Sequence, residues 1–189
     1  QSLPEIHAVV TRSLLPEYRH TTILKAFGLL HEQNIRFKLT IVGDGPIKHK
    51  LMQLAQNLNI EHNVNFVGRI ANDKLPNLLQ EANIYISMPV TEGVSSSLFE
   101  AMAVGCYPIV SDVPGNQSWI SHRENGQLVS IDDKEMLSNE LIWAIKNEEF
   151  RKQVVVKNRK LVEEKANYAH NMKKIAEQYH QMINHHQNQ

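Results

Sequence analysis

Hydrophobic positions along this chain alternate between two spacings. The stretch from Ile6 to Arg12 is short, rich in β-branched residues and stopped by the Pro16 segment, which predicts a strand. From Thr21 the period changes, and Ile23, Leu24, Phe27 and Leu30 recur at helical spacing, predicting a helix over about 20–32. Phe37 to Val42 is a second apolar run, ended by Gly43-Asp44-Gly45-Pro46. Pro46 suits the first turn of the next helix, whose buried stripe is Leu51, Leu54, Ala55 and Leu58. The same reading gives strands at 64–67, 84–87, 108–111 and 127–130, and helices near 73–81, 96–104 and 134–146. Strands alternating with helices of this length predict βαβ units: an α/β, Rossmann-like, doubly wound parallel sheet of about six strands with helices on both faces.

After residue 147 the strands stop. Phe150, Val154, Leu161 and Val162 form one helical stripe, and Ala169, Met172, Ile175, Ala176, Tyr179, Met182 and Ile183 form another. The expected division is therefore a Rossmann-like domain over 1–165 and a C-terminal helix with a polar tail over 166–189. That last helix docks either on a surface outside this chain or on the same domain.

Composition removes several classes of function. A length of 189 residues suits one domain or slightly more, and 20 Lys+Arg against 20 Asp+Glu gives a net charge of 0. A balanced charge argues against a globally basic nucleic-acid binder and against an acidic disordered chain. No apolar run is long enough to cross a bilayer, and Gln1-Ser2-Leu3-Pro4 lacks the regions of a signal peptide, so a soluble chain is expected. The single cysteine, Cys106, allows no internal disulfide and fits a reducing compartment. The histidines show no metal-ligand spacing, so no metal is assigned, and the absence of a G-x-S-x-G elbow argues against a serine hydrolase. Residues 148–174 carry eight Lys/Arg against four Glu, which is either the wet face of a helix or a contact with an anionic membrane surface.

In open parallel sheets ligands bind beyond the carboxyl ends of the strands. The most unusual such segment is Pro89-Val90-Thr91-Glu92-Gly93-Val94-Ser95-Ser96-Ser97, followed by an apolar helix-forming run. Ser95 or Ser96 is a natural N-cap, and the free N–H groups of that helix start favour an anion. Gly93 lets the backbone approach a phosphate or a sugar closely. Glu100 lies one helical turn after Ser96, and Glu92 sits in the preceding loop, so two carboxylates flank the helix start. Carboxylates accept paired hydrogen bonds from vicinal hydroxyls, which suits ribose or a pyranose; the alternative is that Glu100 and the serines only cap and pair locally. Gly43 belongs to an incomplete glycine pattern most simply read as a strand-to-helix turn. Arg12 and Arg19 either neutralise a diphosphate in the same crevice or are solvated surface cations.

These residues, taken in order, resemble the C-terminal, donor-binding domain of retaining GT-B glycosyltransferases, the group 1 or family-four glycosyl transferases that include bacterial lipopolysaccharide and capsule hexosyltransferases. The pieces are Thr11-Arg12, Leu24-Lys25-Ala26-Phe27, Ile41 to Pro46, Val64 to Gly68, Ala82 to Ser87, Glu92 with Glu100-Ala101-Met102-Ala103 and Gly105, Gly115-Asn116 with Trp119-Ile120, and Asn125-Gly126. The resemblance implies that Glu100 binds ribose hydroxyls, Glu92 binds hexose hydroxyls, and backbone from Gly93 through Val94 and Ser95 to Ser96 holds sugar and diphosphate. It also implies that Arg12 stabilises the departing nucleotide, that Arg69 and Ile70 meet the base, and that Gly43 borders the donor. The family's usual Lys-Gly pair after the first strand is here Tyr18-Arg19, so Arg19 is the candidate replacement for the phosphate-binding lysine.

The resemblance further implies a UDP-, GDP- or ADP-sugar donor, no additional cofactor, and a glycan or lipid-linked acceptor in polysaccharide biosynthesis. No nucleic-acid partner is implied. An N-terminal domain outside this sequence would complete the cleft, without which the 189 residues alone would not transfer sugar. The implied location is cytoplasmic or peripheral on the inner membrane face. The alternatives are a non-catalytic nucleotide-sugar-binding or interaction domain, and a related GT-B enzyme such as an epimerase or phosphorylase.

Overall fold

The computed structural model describes residues 3–93 and 95–166. Val94 and the second apolar stripe of the C-terminal region lie outside the described residues. Six strands form one parallel sheet: β1 (Ile6–Thr11), β2 (Phe37–Val42), β3 (Val64–Gly68), β4 (Ile84–Ser87), β5 (Tyr107–Ser111) and β6 (Gln127–Val129), in the order β3-β2-β1-β4-β5-β6. Every residue of β4 and β5 is buried, as a strand covered on both faces requires.

Side chains alternate across the sheet, so each strand feeds two cores. Ala8 and Val10 of β1, Ile84 and Ile86 of β4, and Ile109 of β5 face α1 (His20–Glu32), α2 (Lys48–Asn57) and α6 (Lys134–Lys146). Val9, Tyr85 and Val110 face the opposite way, toward α3 (Leu75–Gln80) and α4 (Ser96–Val104). The long α7 (Glu148–Lys165) contributes Val154 to the first core and Val162 to the second. Pro46 precedes α2 rather than entering it, since that helix starts at Lys48. The pattern does not foretell a short 3-10 turn at Pro16–Tyr18 or the four-residue α5 (Pro114–Gln117).

The chain crosses from one half of the sheet to the other between β1 and β4, which pair side by side. The loops leaving these neighbours run in opposite directions and open a crevice at their carboxyl ends. Loops around it pack closely. A Cβ on Gly43, whose φ is +143°, would stand 2.3 Å from the Arg12 carbonyl oxygen, so the turn after β2 lies directly on the end of β1.

Ile86 is fully buried at the centre of the sheet. Ile86→Ala is expected to lower unfolding free energy by about 2–5 kcal/mol, measured by urea denaturation, through lost burial and an unfilled cavity.

Candidate functional site

The site is built around Arg12, immediately after β1. Its Nε donates to Ser87 Oγ at the end of β4 (3.1 Å), and Nη2 donates to Ser95 Oγ (2.8 Å). Nη2 also pairs with the Glu92 carboxylate, and both side chains are only 15% exposed. The guanidinium lies over the Tyr18 ring, 5.1 Å from its centroid. Ser95, rather than Ser96, caps α4: its Oγ accepts the Leu98 N–H (3.3 Å) and so ties the arginine to a helix N-terminus.

The β4–α4 loop that carries Glu92 is held from several sides. Val90 N–H donates to the Glu17 carbonyl (2.9 Å), Ser111 Oγ donates to the Pro89 carbonyl (2.7 Å), and Asn116 Nδ2 donates to the Ser111 carbonyl (2.9 Å). A Cβ on Gly115 would stand 2.1 Å from the Glu92 carbonyl oxygen and 2.2 Å from that of Gly93. Gly115 and the buried Asn116 thus form the seat of the loop, a role that the sequence shows only as one more Pro-Gly-Asn turn.

Beside this cluster runs a groove of about 590 Å³ between α3 and α4, whose lining includes Thr11, Asn72, Pro76, Ser96, Ser97 and Glu100. Ser96 and Glu100 share that wall, as their helical spacing predicts. Partial burial pushes the Glu100 carboxyl above its ordinary value, while the Arg12 charge acts against that shift. Thr11, whose buried hydroxyl has no partner, and Asn72 were not anticipated; the first is hidden in a strand and the second in a loop without a motif.

Arg19 lies apart from the Arg12 cluster. Its backbone is left-handed (φ 50°), its Nε lies 2.8 Å from Asp132 Oδ1, and its Nη1 donates to the Pro16 carbonyl (2.8 Å). It lines a different cavity, about 530 Å³, together with His20, Lys25, Lys50 and Asp132. The left-handed turn sends Arg19 toward the start of α6 and leaves Tyr18 facing Arg12. Arg69 is exposed and does not line the α3–α4 groove, whereas Ile70 is half-buried and packs into the second core. Gly43 buttresses the end of β1, and Gly93 is exposed in the Glu92 loop. Cys106 is buried beneath this core, where desolvation pushes its thiol up to about 12 and removes it as a nucleophile at neutral pH.

A six-stranded parallel sheet with its polar cluster and groove at the β1–β4 switch is an α/β domain of the Rossmann-like type, as found in GT-B proteins. The chain belongs to the Glycosyl transferases group 1 family, which it matches over residues 4–161. It is 29% identical over 142 residues to Protein CapJ of Staphylococcus aureus, covering 75% of this chain and 35% of that protein. It is 32% identical over 127 residues to N-acetyl-alpha-D-glucosaminyl L-malate synthase of Bacillus anthracis, covering 67% of this chain and 33% of the relative. The chain thus spans about a third of the length of these curated relatives. Among solved structures it superposes on Alr3699/HepE of Anabaena, solved with UDP, with a TM-score of 0.85 at 18% identity, covering 94% of this chain and 49% of that one. It also superposes on the C-terminal domain of the group 1 glycosyl transferase LpcC of Francisella tularensis with a TM-score of 0.79 at 18% identity, covering 88% and 89%.

Gly115→Ala is expected to displace the Glu92–Gly93 backbone and break the Arg12–Glu92 pair while the sheet stays folded. A crystal structure together with a thermal melt checks this; an unmoved loop contradicts it.

Proposed function

We propose that this chain is the donor-binding half of a retaining glycosyltransferase that passes a hexose from a UDP-, GDP- or ADP-sugar to a glycan or lipid-linked acceptor in polysaccharide or glycolipid biosynthesis. The observation that carries the reading is the meeting of Arg12, Glu92 and the capped start of α4 beside the Glu100 groove. Glu100 would accept hydrogen bonds from ribose hydroxyls, and Glu92 from hexose hydroxyls. Arg12 and the first N–H groups of α4 would face the diphosphate, where negative charge grows as the sugar departs. In the transfer the bond from the anomeric carbon to the phosphate oxygen breaks and a bond to the acceptor oxygen forms on the same face. The acceptor proton passes to the departing phosphate. In this same-face route the acceptor oxygen attacks directly, so no side chain of the cluster is needed as a nucleophile.

Relatives give this reading its support. Alr3699/HepE is solved with UDP-glucose, and the pneumococcal O-GlcNAc transferase GtfA with UDP and GlcNAc. Because the curated relatives are roughly three times as long as the matched region, acceptor recognition is assigned to a second domain facing this crevice. No helix among the described residues is long and apolar enough to cross a membrane. A cytoplasmic site of action, with the exposed Lys157, Arg159 and Lys160 of α7 near an anionic membrane face, completes the proposal.

The position of Arg19 favours a second reading, a domain that binds nucleotide sugar without transfer, because the crevice holds fewer cations than the sequence suggests. Transfer from a labelled donor by the intact polypeptide, lost in Glu92→Ala while nucleotide still binds, separates the two.

Calorimetry with UDP, GDP and ADP is expected to show binding of one of them, weakened by about 1–3 kcal/mol in Glu100→Ala. Absence of binding by all three overturns the donor reading. Ribose recognition needs the ionised carboxylate, and the raised Glu100 value favours its protonated form. Affinity should therefore fall on acidification at a higher pH than an ordinary glutamate would give, and a pH series with wild type and Glu100→Gln checks the sign.

A further inference from the structure

Arg12 is held on one edge by charge and hydroxyls and on one face by a ring. Nε and Nη2 are engaged by Ser87, Glu92 and Ser95, and the Tyr18 ring lies 5.1 Å from the guanidinium carbon. Of these partners only Glu92 is charged. A diphosphate arriving at Arg12 competes with Glu92 for the same guanidinium, and a hexose hydroxyl competes with Arg12 for Glu92. Donor binding therefore exchanges the ion pair for two new contacts. Once Glu92 is withdrawn, the arginine retains two neutral hydroxyls and the ring.

The ring is well placed to keep its hold through that exchange. Tyr18 closes the 3-10 turn Pro16–Tyr18, which is anchored to the β4–α4 loop by the Val90 N–H bond to the Glu17 carbonyl (2.9 Å). The next residue, Arg19, is drawn away to Asp132, so Tyr18 alone of this pair faces the crevice. A ring presents its negative face to the guanidinium without competing for its N–H groups, which stay in the plane and open to phosphate oxygens.

Resting on the donor reading above, we propose that Tyr18 is a positioning residue for diphosphate recognition: its ring holds the Arg12 guanidinium in the crevice while the donor displaces Glu92. The site thus grips the diphosphate with one oriented arginine backed by an aromatic ring.

The test compares each nucleoside diphosphate with its monophosphate on the intact polypeptide, using UDP/UMP, GDP/GMP and ADP/AMP. In Tyr18→Ala the preference for diphosphate over monophosphate is expected to fall about three- to tenfold, the range of a partly desolvated cation–π contact. Tyr18→Phe should keep the preference, and in an Arg12→Ala background the Tyr18→Ala change should have no further effect. A preserved preference in Tyr18→Ala, an equal loss in the Arg12→Ala background, or a Phe variant that behaves like Ala overturns the proposal. If wild type binds none of the nucleotides, the donor reading fails instead, and the hold on Arg12 is judged by NMR of its Nε–H. That resonance should move and exchange faster with water in Tyr18→Leu; an unchanged resonance overturns the positioning role whatever the nucleotides do.

Discussion

The ion pair between Arg12 and Glu92 joins two parts of the chain that the sheet brings together only because β1 and β4 are neighbours. Each side chain is 15% exposed, so neither charge is fully solvated and each requires the other. Largely buried pairs of this kind add little net stability, because desolvation offsets most of the attraction. Their structural effect is to fix position. Ser87 and Ser95 take up further hydrogen-bonding capacity of the arginine, and Gly115 lets the α5 turn press against the Glu92 backbone. Removing any of these supports would leave the charges in place but not their geometry.

Glu92 and Glu100 show how one loop and one helix give the same side chain different chemistry. Glu92 is paired with the Arg12 cation, whereas Glu100 stands on a groove wall where burial favours its protonated form and Arg12 only partly counters this. A carboxylate already satisfied must be exchanged to bind a sugar. One left without a strong partner can bind hydroxyls directly. Under the proposed function the two would serve different parts of one ligand, the first the part nearest the diphosphate and the second a ribose farther along the groove.

Much of the fold was legible because the hydrophobic period changes cleanly. The mostly apolar runs of β4 and β5, each closed by a serine, and the 3.6-residue stripes of α1 and α6 announce a parallel sheet covered on both faces. Glu92, Glu100 and the serine cap were legible for a local reason, their spacing around one helix start. The direction of Arg19 was not, since it depends on a single left-handed backbone conformation and on Asp132, a residue remote in sequence. The groove wall at Thr11 and Asn72, and the Gly115 seat, arise from tertiary approach between segments that carry no local signal. Tyr18 was visible only as a departure from a family pattern; its contact with Arg12 required the turn that precedes α1.

Charge balance connects the chain as a whole with its crevice. Overall the charge is 0, and within the cluster Arg12 and Glu92 also cancel. The proposed nucleoside diphosphate would bring further negative charge to that balanced cluster, and Arg19 is already committed to Asp132. Among the described residues of the cluster, the start of α4 adds further positive potential. The helix contributes at most about half a unit charge, and its effect fades within a turn. If the proposed donor binds here, such a composition would hold it by orientation more than by accumulated charge, and the plane of one guanidinium is the quantity that Ser87, Glu92, Ser95 and Tyr18 together constrain.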